Sequence, residues 1–346
     1  MAYTTIDNSE LHFQTKLLDG NSGTNAVTLD GSENMQPDWV WSKYRSGTEN
    51  HVLVDSVRGD KAIRINSASD AEYTTGVSWQ FDTDGFTMTG TTGELNYSGR
   101  DYVSWCWRAP TSFSNDASAT GVGTIDSSGK TGSGLAIISY TGTGSSGTVA
   151  HGLGTTPSMV WIFNRTDGGN GHIFHKALGS TQYLLHASTL AVQTYSPVGI
   201  GSLTSTTFSV GTVSGVNGSG KNYIAYVFSD VQGLSKVGSY TGNGNSDGPM
   251  IYLGFKPAVV YRKIYSGADS HFIIDNKRLG RNPDQAYLFP NATQAESDIE
   301  RVDFLSNGFK IRTTDGGDNG SGGTYIYYAV AESPFTNSSG VPNNAR

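Results

Sequence analysis

Cysteine is nearly absent from this sequence: Cys106 is the only one among 346 residues. A single cysteine excludes an internal disulfide and a zinc site built from cysteine thiolates, so a disulfide-stapled secreted domain is not expected. The sequence also lacks any run of about 20 apolar residues, and we therefore predict no transmembrane helix. The first residues, MAYTTIDNSELHFQ, contain neither a basic nor an apolar segment. No signal peptide is expected, and synthesis in the cytoplasm is predicted.

Positive charge is scarce as well. The chain has 23 Lys and Arg against 30 Asp and Glu, which gives a formal net charge of −7, and its basic residues form no cluster. Proteins that bind nucleic acid neutralise the phosphate backbone with clustered basic side chains. The composition therefore predicts no nucleic-acid partner, and the lack of a long apolar run predicts no membrane insertion.

Motifs of catalytic sites are missing too. The sequence contains no G-x-S-x-G, H-E-x-x-H or C-x-x-C, which are the patterns of serine hydrolases, zinc proteases and thiol redox sites. Glycosidases need two facing carboxylates. The spacing of Asp82, Glu94, Glu296 and Asp303 does not indicate such a pair. We predict that the protein is not an enzyme and has no cofactor.

No metal site is predicted. His51 and Asp55 lie four residues apart, and so do His271 and Asp275. On a strand this separation spans roughly 13 Å, which is too far for one ion. The acidic, glycine-rich loop TDGGDNGSGG resembles calcium loops, but its spacing is not that of an EF-hand. We interpret it as a solvated turn, with cation binding as the alternative.

Abundant residues in the sequence favour strands and turns. Glycine occurs 45 times, and the hydrophobic share of 36% is carried largely by Tyr, Val, Ile, Phe and Trp. The β-branched and aromatic side chains favour strands, whereas Gly, Ser, Asn and Asp favour turns. Since no long amphipathic helix is visible, the composition predicts an all-β protein.

The stretch GVNGSGKNYIAYVF (215–228) resembles a phosphate-binding loop, but Asn222 stands where Ser or Thr is required. Its pattern, N-x-S-G-x-x-Y-[VI], occurs three times, and Gly323 replaces Lys221 in the third copy. Phosphate loops lead into a helix, whereas these copies lead into strand-like runs. We predict a structural turn before a strand. The repeated positions are Asn96, Asn217, Asn319, Gly99, Gly220, Gly322, Tyr102, Tyr223 and Tyr325.

A proline before an apolar run keeps the same order in every copy. Pro37, Pro157 and Pro257 precede the repeated asparagine by 59, 60 and 62 residues. Landmarks in register over three copies predict tandem repeats. The predicted organisation is an N-terminal arm (1–14), repeat 1 (15–109), a Gly/Ser-rich linker (110–133), repeat 2 (134–230), repeat 3 (231–335) and a polar C-terminal tail (336–346).

Each repeat contains about seven or eight strand-like runs separated by turn residues. This pattern predicts three tandem antiparallel β-sandwiches, jelly-roll-like in arrangement, with a propeller or solenoid as the alternative. The last strand of each repeat, such as YVSWCW at 102–107, is apolar on both faces. One face is expected to meet its own sandwich core, and the other a neighbouring repeat or another subunit.

Three aromatic residues do not recur in the other repeats: Trp79, Tyr195 and Tyr265. An exposed aromatic ring can stack on a sugar, because its face supplies apolar area. We predict these three as candidate glycan-binding residues, with packing in a core or an interface as the alternative for each.

The segments QPDWVWSKYRSG, SMVWIFNR and FLSNGFKIRTTD resemble repeats in virion structural proteins of marine tailed phages, including cyanophages. The resemblance covers nearly the whole chain and supplies no catalytic residues. It implies a non-enzymatic virion protein, such as a tail fibre, appendage or adaptor, that takes part in host-surface glycan recognition. We expect a homo-oligomer such as a trimer, contacts with other virion proteins, and a place in the tail rather than the capsid.

Two alternatives to a tail protein stay open. One is a capsid decoration or head-fibre protein of the same particle. The other, from a different class, is a soluble carbohydrate-binding lectin or a glycan depolymerase. Because chain ends fray unless they are tied down, we also expect the N-terminal arm and C-terminal tail to dock on partners.

Overall fold

The computed structural model describes residues 4–195, 202–278, 282, 284–337 and 339–342. Residues 1–3 of the predicted arm, and 338 and 343–346 of the predicted tail, lie outside that set. The described residues form antiparallel sheets with a few single-turn helices, so the predicted all-β sandwich class is confirmed. Within the same ranges, no helix is long and apolar enough to cross a membrane.

Three stretches of chain, named here unit 1 (13–107), unit 2 (135–228) and unit 3 (235–334), form similar pairs of sheets. A 3₁₀ turn, Ser9–Leu11, precedes unit 1. The strands of unit 1 are β1 (Phe13–Asp19), β2 (Thr24–Val27), β3 (Trp39–Tyr44), β4 (Val52–Asp55), β5 (Lys61–Arg64), β6 (Tyr73–Thr74), β7 (Val77–Asp82), β8 (Gly85–Gly90) and β9 (Asp101–Trp107).

A hairpin and two further units follow. The hairpin comprises β10 (Thr111–Asn115), α1 (Ala117–Thr120) and β11 (Ser127–Gly132). Unit 2 comprises β12 (Leu135–Thr141), β13 (Gly147–Ala150), β14 (Met159–Asn164), β15 (His172–His175), β16 (Gln182–Leu185), β17 (Gln193–Thr194), β18 (Thr207–Val210), α2 (Ser214–Asn217) and β19 (Asn222–Phe228). Unit 3 comprises β20 (Ser235–Thr241), β21 (Met250–Tyr252), β22 (Phe255–Ile264), β23 (His271–Asp275), β24 (Asp284–Tyr287), β25 (Ser297–Leu305), β26 (Gly308–Ile311), α3 (Gly316–Asn319) and β27 (Thr324–Pro334).

The inner sheets of the units share one strand order, in which the first strand pairs with the last. The orders are β1-β9-β3-β4-β5-β6 in unit 1, β12-β19-β14-β15-β16-β17 in unit 2 and β20-β27-β22-β23 in unit 3. The outer sheets are β2-β8-β7, β13-β18 and β21-β26-β25-β24. Each unit is therefore a two-layer sandwich closed by its own N- and C-terminal strands.

The stretch 110–133, interpreted from its composition as a linker, is part of the fold. Strands β10 and β11 pair with each other, and β11 pairs with β12, so the hairpin extends the inner sheet of unit 2. The linker interpretation was wrong because glycine here serves close packing. A Cβ added at Gly129 would lie 1.8 Å from the carbonyl oxygen of Ile137 on the adjacent strand.

Each sandwich has its own core, and a further core joins all three units. Strand β9 illustrates both contacts. Cys106 faces the core of unit 1, whereas Val103, Trp105 and Trp107 face the shared core. The predicted covering of both strand faces is confirmed, and neighbouring units of the same chain supply the second cover.

Aromatic rings fill the shared core. Trp39 stacks between Trp107 of its own unit and Tyr226 of unit 2, with centroid distances of 4.1 and 4.5 Å. Trp161 of unit 2 lies 5.3 Å from the ring of Tyr261 of unit 3. Large rings from three units are thus buried together, and burying each one stabilises the fold by several kcal/mol, roughly 3–5 by truncation to alanine.

The same backbone hydrogen bond closes every boundary between units. The bonds run from Glu72 N to Arg165 O (3.0 Å), from Val192 N to Tyr265 O (2.9 Å) and from Glu296 N to Arg45 O (2.7 Å). Unit 1 therefore donates to unit 2, unit 2 to unit 3, and unit 3 to unit 1. This head-to-tail order closes a ring with a pseudo-threefold arrangement.

The N-terminal arm packs on the chain's own third unit. Ile6 lies in the shared core. The hydroxyls of Thr4 and Ser9 donate to the backbone oxygens of Gln232 and Glu332. The described residues of this arm are therefore held by the chain itself, and docking of the arm on a partner stays a prediction.

Candidate functional site

The repeated asparagine ties two loops together inside each unit. Asn217 is fully buried. Its Oδ1 accepts from the backbone of Thr143 (2.8 Å), and its Nδ2 donates to Ser145 O (2.6 Å) and Gly211 O (2.8 Å). The asparagines of units 1 and 3 make equivalent bonds. The motif thus satisfies loop backbone groups that burial would otherwise leave unpaired.

The rest of the motif shapes the entry to the last strand. The hydroxyl of Tyr223 accepts from Gly218 N at 2.7 Å, and Gly220 adopts a φ of +69° that favours glycine. Lys221 lies at the surface and pairs with Asp167 at 2.8 Å. Because the turn leads into β19, as predicted, this stretch is structural and its lysine is incidental.

Boundary 1–2, between units 1 and 2, contains a chain of four charges, of which Asp55 and Arg58 are buried and Glu72 and Arg165 are half-buried. The carboxylate of Asp55, which is fully buried, accepts from Arg58 Nε at 2.7 Å and from the Tyr226 hydroxyl at 2.8 Å. Arg58 also pairs with Glu72 at 3.3 Å, and Glu72 accepts two bonds from Arg165, at 2.8 and 3.0 Å. The four charges alternate in sign across the two units.

Boundary 3–1 repeats this arrangement with other residues. Asp275 accepts from Arg278 Nε at 2.6 Å and from Trp105 Nε1 at 3.1 Å. Glu296 accepts from Arg278 at 3.1 Å and from two nitrogens of Arg45, at 3.0 and 3.1 Å. An indole nitrogen takes the place of the tyrosine hydroxyl, so the carboxylate keeps its second donor.

Boundary 2–3 has no charge at the equivalent positions. His175, Leu178, Val192 and Tyr265 occupy them, and all but His175 pack against the shared core. Burial lowers the pKa of His175 to about 3, so its imidazole is neutral. The sequence shows the change from Asp to His between copies. The sequence did not show that positions 178 and 192 belong to the same boundary, because that role depends on contacts between units.

The three predicted glycan-binding residues lie in different environments. Trp79 is only 8% exposed and packs in the core of unit 1 beside Phe86, because it lies on the face of β7 that is turned toward that core. Tyr265 is half-buried at boundary 2–3. Tyr195 is 53% exposed. The prediction was therefore wrong for Trp79, which lies in a core. Tyr265 packs at an interface between units, which was the alternative, and Tyr195 keeps an exposed ring that could stack on a ligand.

Acidic groups of the glycine-rich loop are neutralised within unit 3. Asp318 is fully buried and pairs with Arg262 at 2.6 Å and with Arg301 at 2.8 Å. Asp315 pairs with Arg301 at 2.7 Å. Since arginines occupy these carboxylates, the cation alternative has no support. Across the part of the chain that the structure describes, no three His, Cys, Asp or Glu are placed to hold a metal ion.

The four carboxylates weighed as glycosidase candidates take separate partners. Asp82 accepts from Thr87, Glu94 from Arg64, Glu296 from Arg45, and Asp303 pairs with Arg312. Two of the histidines considered as ligands make hydrogen bonds in the shared core. His51 Nδ1 accepts from Trp41 Nε1 at 3.0 Å, and His271 Nδ1 bonds the Tyr261 hydroxyl at 2.6 Å. Each of these groups is therefore engaged by other residues of the fold.

One open cavity of about 420 Å³ lies at the end of unit 2. It is lined mainly by the turn after β14, by strands β15 and β16 and by α2, and Ala68 of unit 1 contributes to its rim. His172 and Tyr183 supply its aromatic rings, 5.1 Å apart. No sequence motif pointed to this cavity.

Fold and inner surfaces together define the class: an all-β protein whose sandwich units close into a ring around a shared core. The family model named Domain of unknown function (DUF7483) matches residues 8–334, and the chain belongs to this family. No curated protein and no solved structure matches the chain. The matched range spans all three units and the hairpin, so it describes the whole ring.

Proposed function

We propose that the protein is a non-enzymatic structural component of a bacteriophage particle. In this proposal it is a tail fibre, tail appendage or adaptor that takes part in recognition of a host-surface glycan. The observation that carries the proposal is the closed ring of three sandwiches. The apolar faces of its inner strands are buried in a shared core. The ring is therefore expected to act as one rigid body whose loops and sheet edges are free to contact partners.

Two further observations support a structural role. The segments that resemble phage virion proteins include β3 and β14, strands that build the shared core. The four carboxylates weighed as catalytic candidates, Asp82, Glu94, Glu296 and Asp303, are engaged in hydrogen bonds and ion pairs within the fold. Because the ring already covers the two-faced strands, a homo-oligomer would form through other surfaces. The exposed Met250 and Tyr252 on β21 are candidates for such contacts.

The test is to locate the protein in purified particles. Gradient-purified virions would be analysed by quantitative mass spectrometry, and gold-labelled antibody would be imaged on intact particles. We expect a fixed copy number and label on the tail. Absence from the particles would contradict the proposal. Release of reducing ends from host polysaccharide by the pure protein would contradict the non-enzymatic part.

A capsid decoration protein is the second candidate, and the pseudo-threefold arrangement favours it. A ring of three similar units matches the symmetry of a threefold position on a capsid surface. The same labelled particles separate the two candidates, because label on the head rather than the tail would select the decoration role.

A further inference from the structure

One corner of each sandwich, where the turn before the last strand meets the β4–β5 hairpin or its equivalent, is filled differently in the three units. In unit 1, Glu94 fills it. The Glu94 carboxylate accepts from Asn50 and Arg64, both at 2.5 Å, and from the Tyr73 hydroxyl at 2.7 Å. This corner is closed by a satisfied polar network.

Unit 3 closes the same corner with aromatic rings. Phe272 and Phe289 lie 5.7 Å apart, and the guanidinium of Arg301 lies 5.5 Å from the Phe272 ring. Gly317 stands at the position of Glu94 and packs close to Phe272. Aromatic rings, with the Asp269 carboxylate beside Gly317, thus fill the space that Glu94 occupies in unit 1.

Unit 2 leaves the corner open, as the cavity of about 420 Å³. At the positions of Val52, Arg64 and Glu94, the strand register and the repeated motif place His172, Leu185 and Gly215. A Cβ at Gly215 would lie 2.3 Å from Cε1 of His172. Glycine therefore makes room for an imidazole here, and neither a carboxylate nor a phenyl ring fills the remaining space.

Polar atoms beside this cavity lack partners. His172 is 8% exposed, and its Nδ1 and the Oδ1 of Asn170 are buried without a hydrogen-bond partner among the described residues. Leaving such an atom unpaired costs roughly 1–3 kcal/mol. Burial lowers the pKa of His172 to about 4, so the ring is neutral near pH 7. The charged side chain of the lining, Asp167, is already paired with Lys221.

We propose that this cavity binds one sugar residue of a neutral, hydroxyl-rich glycan, an inference that rests on the proposed function. A sugar hydroxyl, which is both donor and acceptor, could supply the missing partner of Asn170 Oδ1 or His172 Nδ1 once these side chains rotate toward the cavity that they line. The ring face of Tyr183 offers apolar contact to sugar C–H groups. The volume falls in the range of small-ligand sites, about 300–1,000 Å³. No unpaired cationic side chain favours an anion.

The experiment rebuilds the unit 1 corner in unit 2. The full-length protein would be titrated by saturation-transfer NMR with glucose, galactose, mannose, N-acetylglucosamine and rhamnose, and with glucuronate as the anionic comparison. The variants are Gly215→Glu, the triple variant His172→Val, Leu185→Arg, Gly215→Glu, and Tyr183→Ala. Tyr97→Ala is the matched control, because this tyrosine is exposed on unit 1, outside the cavity. Circular dichroism would verify that each variant is folded.

We expect at least one neutral sugar to bind, the three cavity variants to weaken its binding at least about tenfold, and Tyr97→Ala to leave it unchanged. Binding that persists in the folded cavity variants would overturn the cavity while leaving glycan recognition intact. If no sugar binds, the site is overturned, although the protein can still be found in particles. Selective binding of glucuronate would also overturn it, because the site is argued to be neutral.

Discussion

Boundaries 1–2 and 3–1 carry Asp–Arg–Glu–Arg chains whose Asp and first Arg are buried, whereas boundary 2–3 carries His175, Leu178, Val192 and Tyr265 in the same places. All three boundaries nevertheless keep the same backbone hydrogen bond. Charge is therefore not needed to close a boundary of this ring. Removing two ions from water costs about as much as their attraction returns, so an apolar boundary of matching shape can be as stable.

Charge at two boundaries and its absence at the third distinguish the units. In a chain of similar sandwiches, a unit could dock on the wrong neighbour. An Arg–Glu chain brought against Val192 and Tyr265 would leave charges buried without partners, which costs several kcal/mol. We infer that this difference in charge between the boundaries fixes the order of the units around the ring. In other protein interfaces, too, unpaired charges exclude wrong partners.

Acid is predicted to have the largest effect and to weaken boundary 2–3 most. Burial lowers the pKa of His175 to about 3, with Lys176 lowering it further and Asp230 opposing, and lowers the pKa of His271 well below 6.5. The unfolded chain gains these protons near pH 6.5, whereas the folded chain resists them. The contribution of each histidine to the free energy of unfolding is therefore complete above pH 6.5. It is lost as the pH falls toward 3, by up to about 1.4 kcal/mol for each pH unit.

Urea unfolding at pH 7 and pH 5 measures this loss. We expect a drop of several kcal/mol for the native chain and a smaller drop for His175→Leu, which removes one titrating group from boundary 2–3. Equal drops in the two proteins would show that His175 does not contribute.

Breaking one charged boundary is the second prediction. Asp55→Ala leaves Arg58 buried without its carboxylate and removes an acceptor from the Tyr226 hydroxyl. We expect a loss of about 3–5 kcal/mol in the free energy of unfolding. His175→Ala, at the equivalent position of boundary 2–3, is the matched control and should cost less. Similar losses would mean that the two kinds of boundary do not differ energetically.

The repeated asparagine should matter more than the neighbouring lysine. Asn217→Ala leaves three loop backbone groups without their partner, of which the Gly211 carbonyl is buried, and we expect a loss of roughly 1–3 kcal/mol. Lys221→Ala removes a surface ion pair of 2.8 Å and should stay within about 0.5 kcal/mol. Thermal unfolding of the two variants tests this order, and a larger effect of the lysine would contradict the structural interpretation of the motif.

Copying the apolar boundary into a charged one should have the smallest effect. The variant Asp55→His, Arg58→Leu, Glu72→Val, Arg165→Tyr removes all four charges together, so no charge of the set is left unpaired. We expect the free energy of unfolding to stay within about 2 kcal/mol of the native value, well above that of Asp55→Ala. A loss as large as that of Asp55→Ala would show that charge is required at boundary 1–2.

Much of the fold was predictable because repeated landmarks sit at fixed places in the strand order. The motif around Asn217 predicted the last strand, and the two apolar faces of that strand predicted a second cover, from a neighbouring repeat or another subunit. The stretch 110–133 was misassigned because an edge hairpin with little buried surface has the composition of a linker. Composition reports solvent exposure there, but it does not report strand pairing.

The candidate site was less predictable because it depends on space left by small residues. Trp79 and Tyr265 were chosen because they do not recur in the other repeats. That a residue does not recur says nothing about whether its side chain is exposed. The cavity exists because Gly215 and Leu185 replace Glu94 and Arg64. A position-by-position comparison of the repeats shows that replacement, but not that the freed volume opens to the surface.

The central claim, that three sandwiches form one ring around a shared core, is tested most directly by differential scanning calorimetry of the intact chain. If all units share one core, they should unfold together, with a ratio of calorimetric to van't Hoff enthalpy of about 1. Two or three separable transitions, or a ratio near 3, would contradict the ring and describe three sandwiches that fold independently.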